Sequence, residues 1–274
     1  MAVPMNPNKV LWEKGDFTRI AAGMRESGEA LVADVGVAPG MQVLDLGCGD
    51  GTTALPAARL GAHVLGVDIA SNLVAAAKRR AQEEGLTNIR FQEGDATNLE
   101  GLDDDSFDLT LSVFGAMFAP RPADVAKEVV RVTRPGGRIV MGNWLPNDPT
   151  LVNQILKISA AYSPPPPEGF VSPMRWGVED DVTERFAAAG VPSENISFQK
   201  DTYRFEYSAP PRSVVADFRS YYGPTMNAFD AAAEAGRTDE LERELVALFE
   251  AQNESQDSGV TSIPATFLRV TVFV

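Results

Sequence analysis

A glycine-rich bend between two apolar segments constrains this chain more than any other feature. The stretch VLDLGCGDGTTALPAARLGAHVLGVD, residues 43–68, predicts a buried strand, a glycine turn, a short helix and a second strand. Glycines at a strand-to-helix turn bring bare backbone close to a ligand. One acid, Asp45, precedes the glycines, and another, Asp68, closes the second strand. The bend therefore predicts a ligand site.

The alternation of strands and helices continues to Trp144. The strands predicted in this half are residues 41–46, 63–68, 88–95, 107–114 and 138–144. The helices predicted between them are residues 52–60, 71–84 and a segment that opens at Pro122. Because the connections are short, the alternation predicts an α/β fold, with a parallel sheet and helices on both faces.

The regular alternation of strands and helices ends after Trp144. Helices are predicted near 150–162, within WGVEDDVTERFAAAG, and over 211–222 and 238–252, while NISFQKDTYRFEY and TFLRVTVFV are predicted strands. About 60 residues separate these two strands, and long excursions of this kind are usually functional, which predicts a cap over the active edge of the sheet. The predicted organisation is an N-terminal helical cover over 1–39, a core over 40–145, a substrate cap with helices and one core strand over 146–264, and a final core strand over 265–274.

Composition narrows the classes of partner. The net charge of −14 opposes a broad nucleic-acid or anionic-membrane surface, since both partners are polyanions. A single cysteine excludes an intramolecular disulfide and disfavours a cysteine-based zinc site. The stretch MAVPMNPNKV lacks the apolar segment of a signal peptide, and no apolar run is long enough to cross a bilayer. A cytoplasmic location is therefore expected.

Details of the bend discriminate between ligands. The dinucleotide fingerprint is G-x-G-x-x-G, whereas Gly47–Gly51 reads G-x-G-x-G. Asp68 lies about 20 residues after the glycines, where a pair of ribose hydroxyls needs a hydrogen-bond acceptor. Dinucleotide sites and S-adenosylmethionine sites share this feature, so it does not distinguish them. A carboxylate at Asp45 opposes a nearby pyrophosphate but suits a ligand that carries an ammonium and a sulfonium. Asp95, which ends the third predicted strand, can accept from an adenine amino group.

Several motifs together resemble a known family. VLDLGCGDG, GVDIA, GDATNL, FDLTLSVFG and RVTRPGGRIVM are similar, in order and spacing, to the motif set of class I S-adenosylmethionine-dependent methyltransferases. The form most similar is the ubiquinone/menaquinone biosynthesis-type methyltransferase domain. The resemblance covers residues 40–145 and implies a Rossmann-like seven-stranded sheet whose last strand is antiparallel. It also implies S-adenosyl-L-methionine as cofactor and S-adenosyl-L-homocysteine as product.

The resemblance implies a role for each residue that matches the motifs. Asp45 supports the methionine amino group above the glycines, Asp68 takes the ribose hydroxyls, and Asp95 reads the adenine amino edge. Phe114 lies beside the sulfonium and the substrate. Cys48 is interpreted as a small residue that fills space beneath the cofactor. The complete predicted cofactor set is Trp12, Asp16, Asp45, Gly47, Cys48, Gly49, Asp68, Ile69, Asp95, Ala96 and Phe114.

Aromatic and sulfur-containing residues concentrate at strand ends and in the predicted cap. Open α/β sheets bind ligands at the carboxyl ends of their strands, which favours a small, largely apolar or aromatic methyl acceptor. The predicted acceptor residues are Met117, Phe118, Trp144, Tyr162, Trp176 and Met226. Tyr221 and Tyr222 are the predicted catalytic residues, which would orient or deprotonate the nucleophile.

Other catalytic chemistries lack the residues that they need. His63, the only histidine, begins the second strand, about 15 Å from Asp68 at the usual rise per residue. The strand ends offer few metal ligands, so metal-independent in-line transfer, governed by alignment and exclusion of water, is predicted. The alternatives left open are a quinone-ring C-methyltransferase, a non-catalytic S-adenosylmethionine-binding protein and an NAD-dependent oxidoreductase.

Overall fold

The computed structural model describes residues 7–274, which divide into two compact units. The core unit contains Gly28–Pro146, Val171–Asp201 and Phe267–Val274. The accessory unit contains the described residues up to Ser27, together with Asn147–Phe170 and Thr202–Thr266. Residues 1–6 of the predicted N-terminal cover lie outside the described residues. The division differs from the predicted boundaries, because residues 28–39 and 171–201 group with the core.

Within residues 7–274, the sheet has seven strands in the order β3-β2-β1-β4-β5-β7-β6. The strands are β1 Gln42–Leu46, β2 His63–Asp68, β3 Ile89–Glu93, β4 Phe107–Val113, β5 Thr133–Trp144, β6 Ile196–Tyr207 and β7 Thr261–Phe273. β1 to β5 pair in parallel, and β7 pairs with β5 antiparallel. The predicted α/β class, the seven-stranded sheet and its antiparallel last strand are confirmed.

The sheet order reverses between β1 and β4. From β1 the chain proceeds outward through β2 and β3, and it then returns to β4 on the other side of β1. Leu46 lies opposite Val67 of β2, and Asp45 lies opposite Leu111 of β4, so the three strands end at the same edge. Such a switch point at the carboxyl ends of parallel strands is the usual ligand crevice of open α/β sheets.

Helices α1 to α11 complete the two units. They are α1 Pro7–Glu13, α2 Phe17–Ala21, α3 Arg25–Asp34, α4 Ala54–Arg59, α5 Ser71–Glu83, α6 Pro122–Val132, α7 Leu151–Ala160, α8 Glu179–Ala188, α9 Pro211–Tyr221, α10 Gly223–Glu234 and α11 Thr238–Gln252. In α6, Val125, Val129 and Val132 are buried, as their helical spacing predicts. Pro56 is tolerated because it lies in the first turn of α4.

Several predicted elements differ from the structure. β5 begins at Thr133 and not at residue 138, and β7 begins at Thr261 and not at residue 266. α10 is a helix that the sequence pattern did not predict, because its opening Gly-Pro pair resembles a break, although proline is well suited to a first turn. The third strand ends at Glu93, so the prediction that Asp95 closes it is wrong. Asp95 instead forms an isolated bridge with Asn98 just beyond the strand.

Candidate active site

The glycine bend is held on two sides by backbone. The N–H groups of Gly47 and Cys48 both donate to the Val67 carbonyl of β2, at 2.8 and 3.1 Å. Gly47 has a φ of +72°, and a Cβ there would lie 2.5 Å from the Gly115 Cα in the loop after β4. Gly49 has a φ of +55°, yet a Cβ on it would meet no atom within 4 Å. The bend is therefore closed at Gly47 and open at Gly49.

Asp68 is oriented through both carboxylate oxygens. Its Oδ2 accepts from the Gly49 N–H at 2.8 Å, and its Oδ1 accepts from the Ala70 N–H at 2.9 Å. Burial raises the pKa of the Asp68 carboxyl, and these backbone hydrogen bonds oppose that increase. The side chain is thus fixed at the end of β2, with its remaining lone pairs available to hydroxyl donors.

Asp45 lies beneath the bend in a different environment. It is 0% exposed, and its Oδ2 accepts from the Thr53 hydroxyl at 2.6 Å. Its Oδ1 is buried and has no hydrogen-bond partner among residues 7–274. Burial raises the pKa of the carboxyl from 3.8 to about 7. A buried oxygen of this kind is well suited to a donor that arrives with a ligand.

A third acid ties the bend to a helix. Asp50 is fully buried, and its carboxylate pairs with Arg80 of α5 at 3.1 Å. Arg80 also donates to the Asp50 carbonyl at 2.7 Å. The Thr52 hydroxyl donates to the same carboxylate at 3.0 Å. α5 therefore fixes the position of the glycine bend from 30 residues away in the sequence.

The loop after β3 is braced by hydrogen bonds. Asp95 Oδ1 accepts from both the backbone N–H and the hydroxyl of Thr97, each at 2.8 Å. Arg121 donates to the Thr97 hydroxyl at 2.6 Å. Ile69, after β2, and Ala96 are both half-buried. These half-buried residues follow neighbouring strands of the sheet.

Two aromatic rings lie at the carboxyl ends of β4 and β5: Phe114 follows β4, and Trp144 is the last residue of β5. Phe114 stacks on Trp144 with ring centroids 3.6 Å apart and planes 8° from parallel. Phe267 meets the Phe114 ring edge-on at 5.3 Å. The φ of Phe114 is +58°, a conformation that bulky residues rarely adopt and that concentrates at functional sites. The next residue, Gly115, meets Gly47, so the aromatic pair adjoins the glycine bend.

The other predicted acceptor residues of the core unit occupy two short 3₁₀ turns. Met117 is buried and Phe118 half-buried in the turn Ala116–Phe118. Trp176 is buried in the turn Pro173–Gly177. The guanidinium of Arg185 lies 4.7 Å from the Trp176 ring centroid, and Phe186 packs edge-on at 6.3 Å. Packing against α8 thus explains much of the burial of the Trp176 ring.

The predicted catalytic tyrosines lie in the accessory unit. Tyr222 is buried, with its ring centroid 6.0 Å from those of Trp12 and Phe17. Burial raises the pKa of the Tyr222 phenol well above its usual range, so this group is a hydrogen-bond donor and a poor base at neutral pH. Tyr221 is half-buried, and the Arg19 guanidinium lies 5.7 Å from its ring centroid.

The remaining predicted residues of the accessory unit have local structural roles. Asp16 is exposed and caps α2, accepting from the Thr18 N–H at 3.3 Å. The Tyr162 hydroxyl donates to Glu244 at 2.7 Å. Met226 is half-buried, and a Cβ on Gly15 would lie 2.9 Å from its sulfur.

Cys48 and His63 have no arrangement for nucleophilic catalysis. Burial raises the pKa of the Cys48 thiol well above its ordinary value, and the acids of the bend raise it further. His63 is exposed at the first residue of β2, far along the strand from Asp68. A thiol with a raised pKa is a weak nucleophile at neutral pH. Cys48 therefore acts as a small buried residue.

Four residues that shape this region were not among the predicted site residues. Thr53 supports Asp45, Arg80 supports Asp50, and Gly115 allows the close approach of Gly47. Asn143, next to Trp144, is buried. Only the glycine that follows Phe114 carried a visible signal, since a glycine after a strand often marks a close backbone approach.

The described part of the chain has neither a metal-binding cluster nor a membrane-spanning helix. Within residues 7–274, no group of three or more histidine, cysteine, aspartate or glutamate side chains is placed to hold a metal ion. None of the described helices combines the length and apolar character needed to span a membrane.

Comparison with known proteins identifies the family. The methyltransferase domain family matches residues 44–141. An uncharacterized protein of Mycobacterium tuberculosis is 33% identical over 243 residues, which are 88% of this chain and 86% of that protein. The crystal structure of the YcgJ protein of Bacillus subtilis has a TM-score of 0.57 at 22% identity, covering 90% of this chain and 97% of that one.

A ligand-bound structure has the same fold. Phosphoethanolamine N-methyltransferase 2 of Haemonchus contortus, solved in complex with S-adenosyl-L-methionine, has a TM-score of 0.56 at 18% identity. The similarity covers 89% of this chain and 51% of that one. The matched domain spans the glycine bend, Asp68, Asp95 and Phe114. This chain belongs to the class I S-adenosylmethionine-dependent methyltransferases.

Proposed function

We propose that this methyltransferase acts on a small, largely apolar or aromatic acceptor by metal-independent in-line transfer. The observation that carries the proposal is the stacked Phe114–Trp144 pair at the strand ends, one residue before the contact of Gly115 with Gly47 of the bend. An aromatic surface there would bind an apolar acceptor and keep water from the reacting atoms. The family assignment decides against the NAD-dependent and non-catalytic alternatives.

The glycine bend fits the methionine and ribose parts of the cofactor. We assign the cofactor ammonium to the unpartnered Oδ1 of Asp45 and the ribose hydroxyls to Asp68. Gly47 and Gly49 would pass beneath the methionine part, where the open space at Gly49 leaves room for it. Cys48 would fill the space below the cofactor.

The adenine is assigned to the loops after β2 and β3. Ile69 would pack on its face, and Asp95 with Ala96 would read its amino edge. The Thr97 and Arg121 contacts support this assignment, because they hold Asp95 in one conformation. The roles assigned to Trp12, Asp16, Tyr162, Tyr221, Tyr222 and Met226, all in the accessory unit, stay predictions.

The proposed methyl transfer depends on alignment of the acceptor atom with the methyl group and the sulfonium. Bound S-adenosylmethionine supplies an electrophilic methyl group on a sulfonium. The residues of this chain would bind the cofactor, orient the acceptor against Phe114 and Trp144, and exclude water. Met117 and Phe118, in the turn after β4, would extend the apolar wall, with Trp176 behind it. An acceptor with an acidic hydroxyl or a thiol needs no strong protein base for this transfer.

The test is methyl transfer from radiolabelled S-adenosylmethionine to a panel of phenols, thiols, amines and one quinol. We expect label on at least one apolar member, in the presence of excess EDTA. Asp68→Asn, which alters the ribose acceptor, should reduce the transfer strongly. Label that appears only on charged, hydrophilic acceptors, or activity abolished by EDTA and restored by a divalent metal, would contradict the proposal. Label on the quinol would support the narrower quinone-ring prediction.

A further inference from the structure

Asn143 is a buried amide whose hydrogen-bonding capacity is unused. It is the penultimate residue of β5 and is 1% exposed. Neither its Nδ2 nor its Oδ1 has a hydrogen-bond partner within the described residues 7–274. An unsatisfied buried polar group destabilises the folded state, so each one in a structure calls for an explanation.

Buried hydroxyls elsewhere in the same sheet are satisfied. The Thr110 and Thr133 hydroxyls lie 2.7 Å apart, and Thr133 also donates to the Val129 carbonyl at 2.6 Å. Ser112 donates to the Leu46 carbonyl at 2.7 Å and accepts from the Ala116 N–H at 3.0 Å. The neighbouring strand thus satisfies its polar groups with protein atoms. Both polar atoms of Asn143, like the Oδ1 of Asp45 in β1, instead lack a partner among the described residues.

Asn143 lies where this fold binds ligands. The pairing of β4 with β5 ends with Val113 opposite Gly142, so Phe114 and Asn143 are the next residues along the two strands. Trp144, which follows Asn143, stacks on Phe114. The amide therefore stands at the carboxyl end of β5, the edge at which open α/β sheets bind ligands. Because successive strand residues alternate between faces, it lies on the face of the sheet opposite Trp144.

A second unused donor belongs to the turn that covers this strand end. The indole N–H of Trp176 is buried and has no partner in the described part of the chain. The adjacent residue, Gly177, packs so closely on β5 that a Cβ there would overlap the Trp144 carbonyl oxygen. The end of β5 thus carries an unused amide and, in the turn against it, an unused N–H.

We infer that the Asn143 amide binds a neutral oxygen group, a hydroxyl or carbonyl, of the methyl acceptor. This inference rests on the proposed function and specifies its acceptor. An amide is uncharged and offers both donors and an acceptor, which matches a hydroxyl or carbonyl. A site that leaves buried polar groups unpaired rejects molecules that lack the matching group. The acceptor is therefore an apolar skeleton that carries oxygen at this position.

The first measurement is the melting temperature of the ligand-free protein. Asn143→Leu replaces the unused amide with an apolar group of similar size, so the melting temperature should stay the same or rise. Thr110→Val is the matched control, because its hydroxyl is partnered in the neighbouring strand. The control should lower the melting temperature. A clear decrease for Asn143→Leu would show that the amide has a structural partner and would overturn the inference.

The second measurement compares ligands with and without oxygen. Naphthalene against 2-naphthol, and biphenyl against 4-phenylphenol, are titrated in saturating S-adenosylhomocysteine. The wild type should bind the oxygenated member of at least one pair about tenfold more tightly, and Asn143→Leu should bind both members alike. A wild type without this preference, or a variant that keeps it, would overturn the inference.

Different results would contradict the proposed apolar acceptor and the proposed role of Asn143. Binding of the hydrocarbons without any preference for oxygen would leave the apolar-acceptor function standing and remove the role of Asn143. Absence of binding by every member of both pairs would contradict both. Affinity for S-adenosylhomocysteine should be the same in the wild type and Asn143→Leu, which confirms that the variant has an intact cofactor site.

Discussion

Two aspartates beside the same bend have different chemistry because their hydrogen bonds differ. Asp68 has a backbone N–H on each carboxylate oxygen, whereas Asp45 keeps one buried oxygen unpartnered among the described residues. Burial raises the pKa of Asp45 from 3.8 to about 7, so the ligand-free folded protein retains a proton that the unfolded chain loses. This group therefore lowers the free energy of unfolding as the pH rises from 3.8 to about 7.

The affinity for S-adenosylhomocysteine should depend on the ionisation of Asp45. The ligand ammonium binds the ionised carboxylate, so affinity should rise with pH and level off above the pKa of about 7. Below that pKa the ionised fraction, and with it the affinity, should fall about tenfold per pH unit. Calorimetric titrations across this range provide the test. Asp45→Asn should bind weakly at every pH, and a pH-independent wild type would refute the assignment.

Gly47 should be far less tolerant of a methyl group than a glycine of similar conformation elsewhere. Gly85→Ala introduces a Cβ at a φ of +67° into open space and should cost about 1–2 kcal/mol. Gly47→Ala adds a clash with the Gly115 backbone at a φ of +72°. Chemical denaturation should show the larger loss for Gly47→Ala, together with lost cofactor binding. Equal losses of stability in the two variants would mean that the loop containing Gly115 moves to make room for the added methyl group.

At the scale of elements, α5 positions a loop that is distant in sequence. Arg80 of this helix pairs with the buried Asp50 of the bend. Burial makes the pair important, since a buried carboxylate depends on its partners far more than an exposed one does. The exposed pair between Arg59 of α4 and Glu84, at 2.8 Å, provides a comparison within the same layer.

Arg80→Met should therefore destabilise the protein more than Arg59→Met. We expect a loss of about 3 kcal/mol for Arg80→Met, since it breaks a buried pair. Arg59→Met should lose no more than about 1 kcal/mol, as is usual for exposed ion pairs. Cofactor affinity should fall only in Arg80→Met, because only that side chain holds the bend. Equal effects in urea denaturation would contradict this role of α5.

At the scale of the whole molecule, cofactor binding should appear as stability. A ligand that binds only the folded state at 100 times its Kd raises the unfolding free energy by about 2.7 kcal/mol. We expect S-adenosylhomocysteine to raise the melting temperature accordingly, and NADH to leave it unchanged. Asp68→Asn should remove most of the shift. A shift with NADH alone would contradict the cofactor.

The sequence predicted the elements whose signals are local. β2 spans His63–Asp68 as predicted, because its apolar run is bounded by a turn and an acid. The predicted boundaries of elements were less accurate at prolines and glycines, because these residues can either begin or end an element. The Gly-Pro start of α10 resembled a break, and Gly94 separated Asp95 from the end of β3. Residue type sets such propensities, but packing decides which of them is used.

The sequence by itself determined the α/β alternation, the glycine bend with its acids, and the motif order of a methyltransferase, because these depend on periodicity and on residues close together in the chain. Only the tertiary structure decided the raised pKa of Asp45, the contact of Gly47 with Gly115, and the unused amide of Asn143. Each of these depends on atoms from segments far apart in sequence, since burial and hydrogen-bond partners exist only once the strands have paired.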